Sequence, residues 1–536
     1  MSLPMVAYFS MEMAIDQSLY TYAGGLGYLA GSHMHSAGYL DLPLVGVTML
    51  WSYGYGIQTI NSTTNTVELS YEKQQFPNLQ DPGISAEITI FGQKVIVKAF
   101  HLPRSIFGTA PIYFLTTDIP ENPPEIREYS GKLYDGTEKT RIAQEIILGI
   151  GGLQILRKAG IPIQVVHLNE GHALPAAFQL LADFGGDLNK VKEHLVFTTH
   201  TPVAAGNEAH SAHLLADAGF FAGTSVEQAI QLGGDDFSLT VAALRMSRIA
   251  NGVSQLHGQV ANNMWSWVQG RCPIVAITNA VDLRQWQDPR IKAAGQDSQA
   301  LSTLKKTMKQ ELFDQVKQRI GLQLNPDVLT LVWARRFTEY KRAWLIFQDE
   351  ARLRKLLENN KIQLLFSGKF HPEDTAGKNM FNKVIEYAEQ FPNVGILTGY
   401  DLSLSGYLKR GADIWLNTPL RPMEASGTSG MSANMNGALH FSTYDGWAVE
   451  GTFHGINGFI INENSGDDYL PVEERHRQDY ESMMSQLEDI IIPAYYGNTP
   501  QWTHWMREAI QTAEAYFHSD RMVIEYYNRL YKTICL

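Results

Sequence analysis

Cysteine is nearly absent from this 536-residue sequence. There are two, Cys272 and Cys535, with no metal-binding spacing and no disulfide framework. Two distant thiols fit a reducing cytoplasm, so a cytoplasmic location is expected. Basic surplus is absent as well: 43 Lys and Arg face 55 Asp and Glu, a net charge of −12. Phosphate-backbone binding needs the opposite balance, which argues against a nucleic-acid partner. A small anion remains compatible, because a local Arg/Lys cluster binds phosphate inside an acidic protein. No apolar run reaches 18 residues, so no membrane span is expected. The opening MSLPMVAYFSMEM has neither a basic segment nor a long apolar core, so no signal peptide is expected. Low-complexity linkers and internal sequence repeats are also missing.

What is there is a globular composition, 44% hydrophobic and 18% charged. The length is too great for one ordinary core and suits two domains. VAYFS and LPLVGVTML read as buried strands, separated by a glycine-rich stretch that turns helical. Residues 86–100, AEITIFGQKVIVKAF, alternate around Phe91-Gly92 and predict a hairpin added to a sheet. From Thr140 strands and helices alternate: RIAQEIILGIGGLQILRKAG, IQVVHLN, ALPAAFQLLADF, HLVFTTHTP. Residues 236–269 read as largely helical. After the helix at 304–322 a second series follows, with VLTLVWA, IQLLFSG, VGILTGY and DIWLNTP as strands. Alternation of this kind predicts parallel sheets with right-handed crossovers. The boundaries expected are 1–290 for a first domain carrying the hairpin, 291–505 for a second, and 506–536 for a terminal helix crossing back to the first.

Ligands of parallel sheets bind beyond the C-terminal strand ends, and several polar motifs fall there. AGGLG (Ala23–Gly27) precedes a helix. Gly24 and Gly25 would let backbone approach a phosphate, or would simply serve a tight turn. HLNEGH (His167–His172) invites a zinc reading, but it lacks the HExxH spacing and a third ligand, so no metal is expected. His200 in TTHTP could hold a sugar hydroxyl or be a satisfied core histidine. RRFTEYKR (Arg335–Arg342) places four cations in eight positions, and Arg336 with Lys341 could grip one anion. RPMEASGTSG (Arg421–Gly430) offers Glu424 for sugar hydroxyls and a Gly/Ser/Thr turn whose amides suit a phosphate. An N-cap would account for Thr428 or Ser429 alone.

In this order, YFSMEM, AGGLGYLAG, HLNEGHA, FTTHTP, ANGVSQLHG, ITNAVDLRQW, ARRFTEYKR, FSGK and EASGTSGM resemble the α-glucan (glycogen, starch, maltodextrin) phosphorylase family in a compact form. The resemblance spans most of the chain. It implies an α/β GT-B fold, two Rossmann-like domains facing a central cleft, and retaining transfer of an α-glucosyl group. It implies a sugar pocket of His200, Asn279, Glu424, Ser426 and Gly427, phosphate contacts from Arg336 and Lys341, a glycine loop at Gly24 and Gly25, and His172 beside the site. The family's pyridoxal phosphate pocket matches Arg335, Thr428, Trp286 and Tyr400 in part. The departure is Ser432, which stands where the family carries its imine-forming lysine. A hydroxyl forms no imine, so covalent pyridoxal phosphate is excluded there. Ala280 and Asp282 also depart from the usual pattern.

Three functions follow from this departure. The first is a hexosyltransferase using a nucleotide-sugar donor without pyridoxal phosphate, with Ser432 on a ribose hydroxyl or a phosphate. The second is a glucan phosphorylase with non-covalent cofactor or none. The third is a non-catalytic glucan-binding relative. The partners implied are a sugar phosphate or nucleotide sugar and a glucan or other sugar acceptor. The oligomeric state is open, a homodimer included.

Overall fold

A computed structural model of the chain describes residues 3–203, 206–295, 297–463 and 469–532. Cys535 and the last residues of the expected terminal helix lie outside them. The chain divides into two compact units: 1–56 with 71–279 and 519–536, and 57–70 with 280–518. The division therefore falls at 279/280 and 518/519, rather than at 290/291 and 505/506. The helix Thr499–Tyr516 belongs to the second unit, and only the segment from Ser519 joins the first. The antiparallel pair Ile57–Asn61 and Thr66–Ser70 belongs to the second unit too. Gln58 donates to the Phe370 carbonyl at 2.8 Å, and Asn382 accepts from the Val67 amide at 3.0 Å.

The first unit is built on a nine-stranded sheet. Seven of the strands are parallel, and in chain order they are Val6–Phe9, Leu44–Met49, Ile112–Thr116, Val165–Asn169, Leu195–Thr198, Ile249–Gly252 and Ile274–Ala276. Numbered that way, their order across the sheet is 3-2-1-4-5-6-7. The 86–100 hairpin is Ser85–Ile90 with Gln93–Leu102, and it extends the edge antiparallel to Ile112–Thr116. Phe91 and Gly92 both take positive φ, 49° and 73°, as a two-residue hairpin turn with the twist of its strands requires. The strand Ile249–Gly252 lies inside the stretch expected to be largely helical. Its four residues, IANG, carry too little pattern to stand out between the helices Leu239–Met246 and Gln255–Met264.

The main sheet of the second unit has six strands, all parallel: Leu329–Ala334, Ile362–Ser367, Val394–Leu397, Ile414–Asn417, Leu439–Thr443 and Gly458–Ile461. Their order is again 3-2-1-4-5-6. The first four are fully buried along their length, as strands covered by helices on both faces are. In each unit the order reverses between strands 1 and 4, and the crevice beyond that switch point is where doubly wound sheets take ligands. No helix among the described residues is long and apolar enough to cross a membrane.

Candidate active site

In the second unit, Arg335 is the first residue past strand 1, and Glu424 lies on the segment leaving strand 4. The switch point thus brings a cation and a carboxylate together from residues 89 apart. Arg335 Nη2 and Lys341 Nζ both donate to Glu424 Oε2 at 2.8 Å. All three side chains are buried. Burial pushes the Glu424 carboxyl up, but Arg335 and Lys341 outweigh it and hold it down at about 2. The anion is therefore fixed at neutral pH. Removing it would strand two buried cations, at a cost of about 3–5 kcal/mol.

Two cations on one carboxylate leave a local positive surplus. Arg335 Nη1 is buried without a hydrogen-bond partner. A buried guanidinium N–H left over is a strong donor with nothing to donate to, and an anion would satisfy it. Gly427 sits beside the pair. A Cβ on it would lie 3.5 Å from Glu424 Oε1 and 3.6 Å from Arg335 Nη2, and its φ is 76°. Asp445, which the sequence reading did not single out, orients the segment. Its Oδ2 accepts the Glu424 amide and its Oδ1 the Gly446 amide, both at 2.8 Å. Burial, reinforced by Glu424, raises Asp445 to about 7.

Arg335 shares Glu424 with Lys341, and Arg336, expected to grip an anion together with Lys341, is exposed at the same strand end. Arg342 is wholly buried and structural. It donates to the carbonyls of Thr418 and Pro419 and to Asp479, tying strand 4's exit to the helix Val472–Gln486. Lys341 ends a single 3-10 turn, Glu339–Lys341, so no solvated helix start is present there.

The N-cap reading of Thr428 is not realised either. Thr428 occupies the cap position of helix Ser429–Asn434, yet its side chain makes no capping bond. The Ser429 hydroxyl instead accepts from Trp415 Nε1 at 3.2 Å. Ser426 Oγ donates to the Gly427 carbonyl at 3.1 Å. Ser432 is fully buried, and its Oγ donates back to the carbonyls of Thr428 and Ser429 at 3.2 and 3.0 Å. Its hydroxyl is spent inside its own helix, so the proposed contact of Ser432 with a ribose or phosphate is not made from this rotamer. Nor does the residue offer an amine, so the donor set does not fit a pyridoxal group anchored at position 432.

The first unit's switch point carries carboxylates and histidines. Glu12, past strand 1, was missed in the sequence. Its Oε2 accepts the amides of Ala23 and Gly24 at 2.5 and 3.1 Å, and its Oε1 accepts from the Tyr134 hydroxyl at 2.9 Å. The signal was an acidic residue at a strand end, four positions into the buried run YFSMEM. Gly24 and Gly25 need no positive φ, and a Cβ on either would meet nothing within 4 Å. The tight-turn reading therefore loses its reason. Gly27 differs, since a Cβ there would lie 2.7 Å from Glu12 Oε2 and from the Tyr22 Cβ.

Past strand 4, the Glu170 carboxyl accepts the His200 amide at 2.6 Å, and His200 Nε2 donates to Asn169 Oδ1 at 2.7 Å. Burial, with His257 and His172 nearby, lowers His200 to about 3. It is a neutral imidazole at pH 7. Burial raises Glu170 to about 8 despite the His200 amide, so that acid keeps its proton. His172 is buried with its Nδ1 unpaired, and burial and Arg141 lower it to about 4. Asn279 is buried, with its Oδ1 unpaired. His167, in contrast, is a satisfied core residue between the Tyr531 hydroxyl and Thr198 Oγ1, each at 2.7 Å.

Glu145, Glu208 and His210 are the one group among the described residues whose atoms converge as metal ligands do. Its charges already balance. Arg141 grips Glu208 with two bonds of 2.5 and 2.7 Å, and His210 bridges Glu208 and Glu138, which raises its pKa. Burial and Glu208 push Glu145 well above the usual carboxyl range.

A sequence profile of the carbohydrate phosphorylases matches residues 277–454, a stretch that contains Arg335, Lys341, Glu424, Ser432 and Asp445. The chain belongs to the carbohydrate phosphorylase family, and so to the hexosyltransferase class of enzymes. Among its relatives, a maltodextrin phosphorylase of Thermococcus litoralis is 34% identical over 592 residues, covering 98% of this chain and 70% of that one. A glycogen phosphorylase of Aquifex aeolicus is 31% identical over 606 residues, covering 99% and 86%. An uncharacterized protein of Methanocaldococcus jannaschii is 44% identical over 531 residues, covering 98% and 99%.

Proposed function

We propose that the protein is a retaining α-glucosyltransferase of the GT-B kind that takes a nucleotide-sugar donor and works without pyridoxal phosphate. One observation carries the reading: Arg335 keeps a buried, unused N–H beside a carboxylate already shared with Lys341. Such a surplus suits a phosphate leaving group, whose charge grows as the glycosidic bond breaks. In this reading Arg335 and Lys341 stabilise the departing phosphate, and Arg336 adds a cation from the strand end. Glu424, Ser426 and Gly427 hold the sugar, and Thr428 supplies its unused hydroxyl. Gly24, Gly25, His172, His200 and Asn279 serve the glucan or other sugar acceptor on the first unit. The amine-free position 432 favours a donor that brings its own second phosphate.

A second reading has a specific observation in its favour. Two relatives matched along nearly all of this chain are named phosphorylases. Under it, inorganic phosphate and a glucan replace the nucleotide sugar. Titration calorimetry separates the two. Nucleotide-diphosphate glucose should bind at least about tenfold more tightly than glucose-1-phosphate, a difference of about 1.4 kcal/mol. Arg335→Ala should abolish that preference. Equal affinity for both in the wild type would overturn the nucleotide-sugar reading.

A further inference from the structure

Position 432 offers no amine, but a buried amine stands nearby on another helix. Lys409 lies in Leu402–Gly411, which packs against the short helix carrying Ser432. It is 1% exposed, and its Nζ sits 3.3 Å from the centre of the Trp286 ring. Asn436 ties this place to Ser432. Its Nδ2 donates to the Trp286 carbonyl at 2.8 Å and to the Ser432 carbonyl at 2.9 Å. Lys305 fixes the same corner from a third helix, donating to the carbonyls of Arg410 and Asn436 at 2.7 and 3.0 Å.

We propose that Lys409 closes the pyridoxal pocket of this chain by lying on the face of Trp286, the surface a flat cofactor ring would need. A group 3.3 Å from a ring centre is in contact with it, so no second layer fits between. The other residues matched to that pocket are committed within the protein. Arg335 binds Glu424, the Tyr400 hydroxyl pairs with Ser405 Oγ at 3.0 Å, and Ser432 bonds its own helix. Burial, with Arg410 adding to it, holds Lys409 well below the usual lysine range. The inference rests on the cofactor-independent reading above for its meaning, and on the Trp286 contact for its evidence.

The test is pyridoxal phosphate binding, read by equilibrium dialysis and by borohydride trapping with peptide mapping, on folded protein checked by thermal melting. Wild type should carry no adduct at residue 409 or 432. Lys409→Met should bind the cofactor non-covalently at least tenfold more tightly than wild type. Adding Ser432→Lys to it should place a reducible imine on residue 432. If Lys409→Met does not fold, Lys409→Gln serves instead. Affinity unchanged by removing Lys409, or an adduct trapped on Lys409 in the wild type, would overturn the proposal. Neither readout depends on the donor the wild type uses, so this inference and the donor reading fail separately.

Discussion

The two units repeat one plan and load it with opposite chemistry. Both sheets reverse their order between strands 1 and 4, and both place polar residues past those two strands. In the first unit the switch point holds Glu12, Asn169, Glu170 and His200, and burial neutralises Glu170 and His200. In the second it holds Arg335 and Glu424 with Lys341, and pairing keeps the carboxylate charged. The lesson is that burial alone does not decide a group's charge. Burial raises both glutamates, but Glu170 has only an amide to offset it, whereas Glu424 has two cations. Neutral donors and acceptors suit sugar hydroxyls, and fixed charges suit a phosphate.

If that division is right, the largest effect comes from the charged switch point. Arg335→Ala or Lys341→Ala should cut turnover by about 100-fold or more, since each removes a donor aimed at developing charge. Arg336→Ala should act mainly through donor KM. A turnover loss of a few fold in Arg335→Ala would place the chemistry elsewhere.

Next in size is a pair of glycines of the first unit, Gly24 at the cap of the helix Gly25–Tyr39 and Gly31 within it. Gly31→Ala would drive a Cβ into the Ala14 carbonyl, so urea denaturation should show a loss of about 1–3 kcal/mol. Gly24→Ala meets nothing within 4 Å and should leave stability within about 1 kcal/mol while weakening substrate binding. A stability loss in Gly24→Ala equal to that of Gly31→Ala would return Gly24 to a structural role.

The smallest effect is in pH dependence. Glu170 holds its proton in the folded chain up to about pH 8 and loses it near 4.5 when unfolded. Between those values the folded state binds more protons, so this group's contribution is full below about 4.5 and is lost as pH rises to 8. Glu424 has the opposite sign. Its folded pKa is lowered to about 2, so its contribution is full above about 4.5 and is lost as pH falls toward 2. Glu170→Gln should therefore flatten the decline in denaturation midpoint between pH 4.5 and 8 and leave the acid limb unchanged. An unaltered slope in that window would mean Glu170 is ionised in the fold.

The motif positions were legible because strand ends concentrate function, and alternation of strands and helices is read locally. The repeated strand order was not legible, since no sequence repeat accompanies it. The pair at 57–70 was placed with the wrong unit because its partners, Phe370 and Asn382, lie some 312 and 315 positions away. Adjacent arginines at a strand exit point to different sides, so sequence alone could not tell buried Arg335 from exposed Arg336. Lys409 looked like an ordinary cation in the last turn of a helix, and only packing put it on Trp286.

The most direct test of phosphate-leaving-group transfer at the second switch point is a phosphorus NMR time course. Purified protein without added cofactor would be mixed with glucose-1-phosphate, UDP-glucose, ADP-glucose, GDP-glucose and a short maltodextrin. Growth of a nucleoside diphosphate signal, absent in Arg335→Ala, is the predicted result. Growth of inorganic phosphate with extension of the glucan would contradict it and make the protein a phosphorylase without an imine at residue 432.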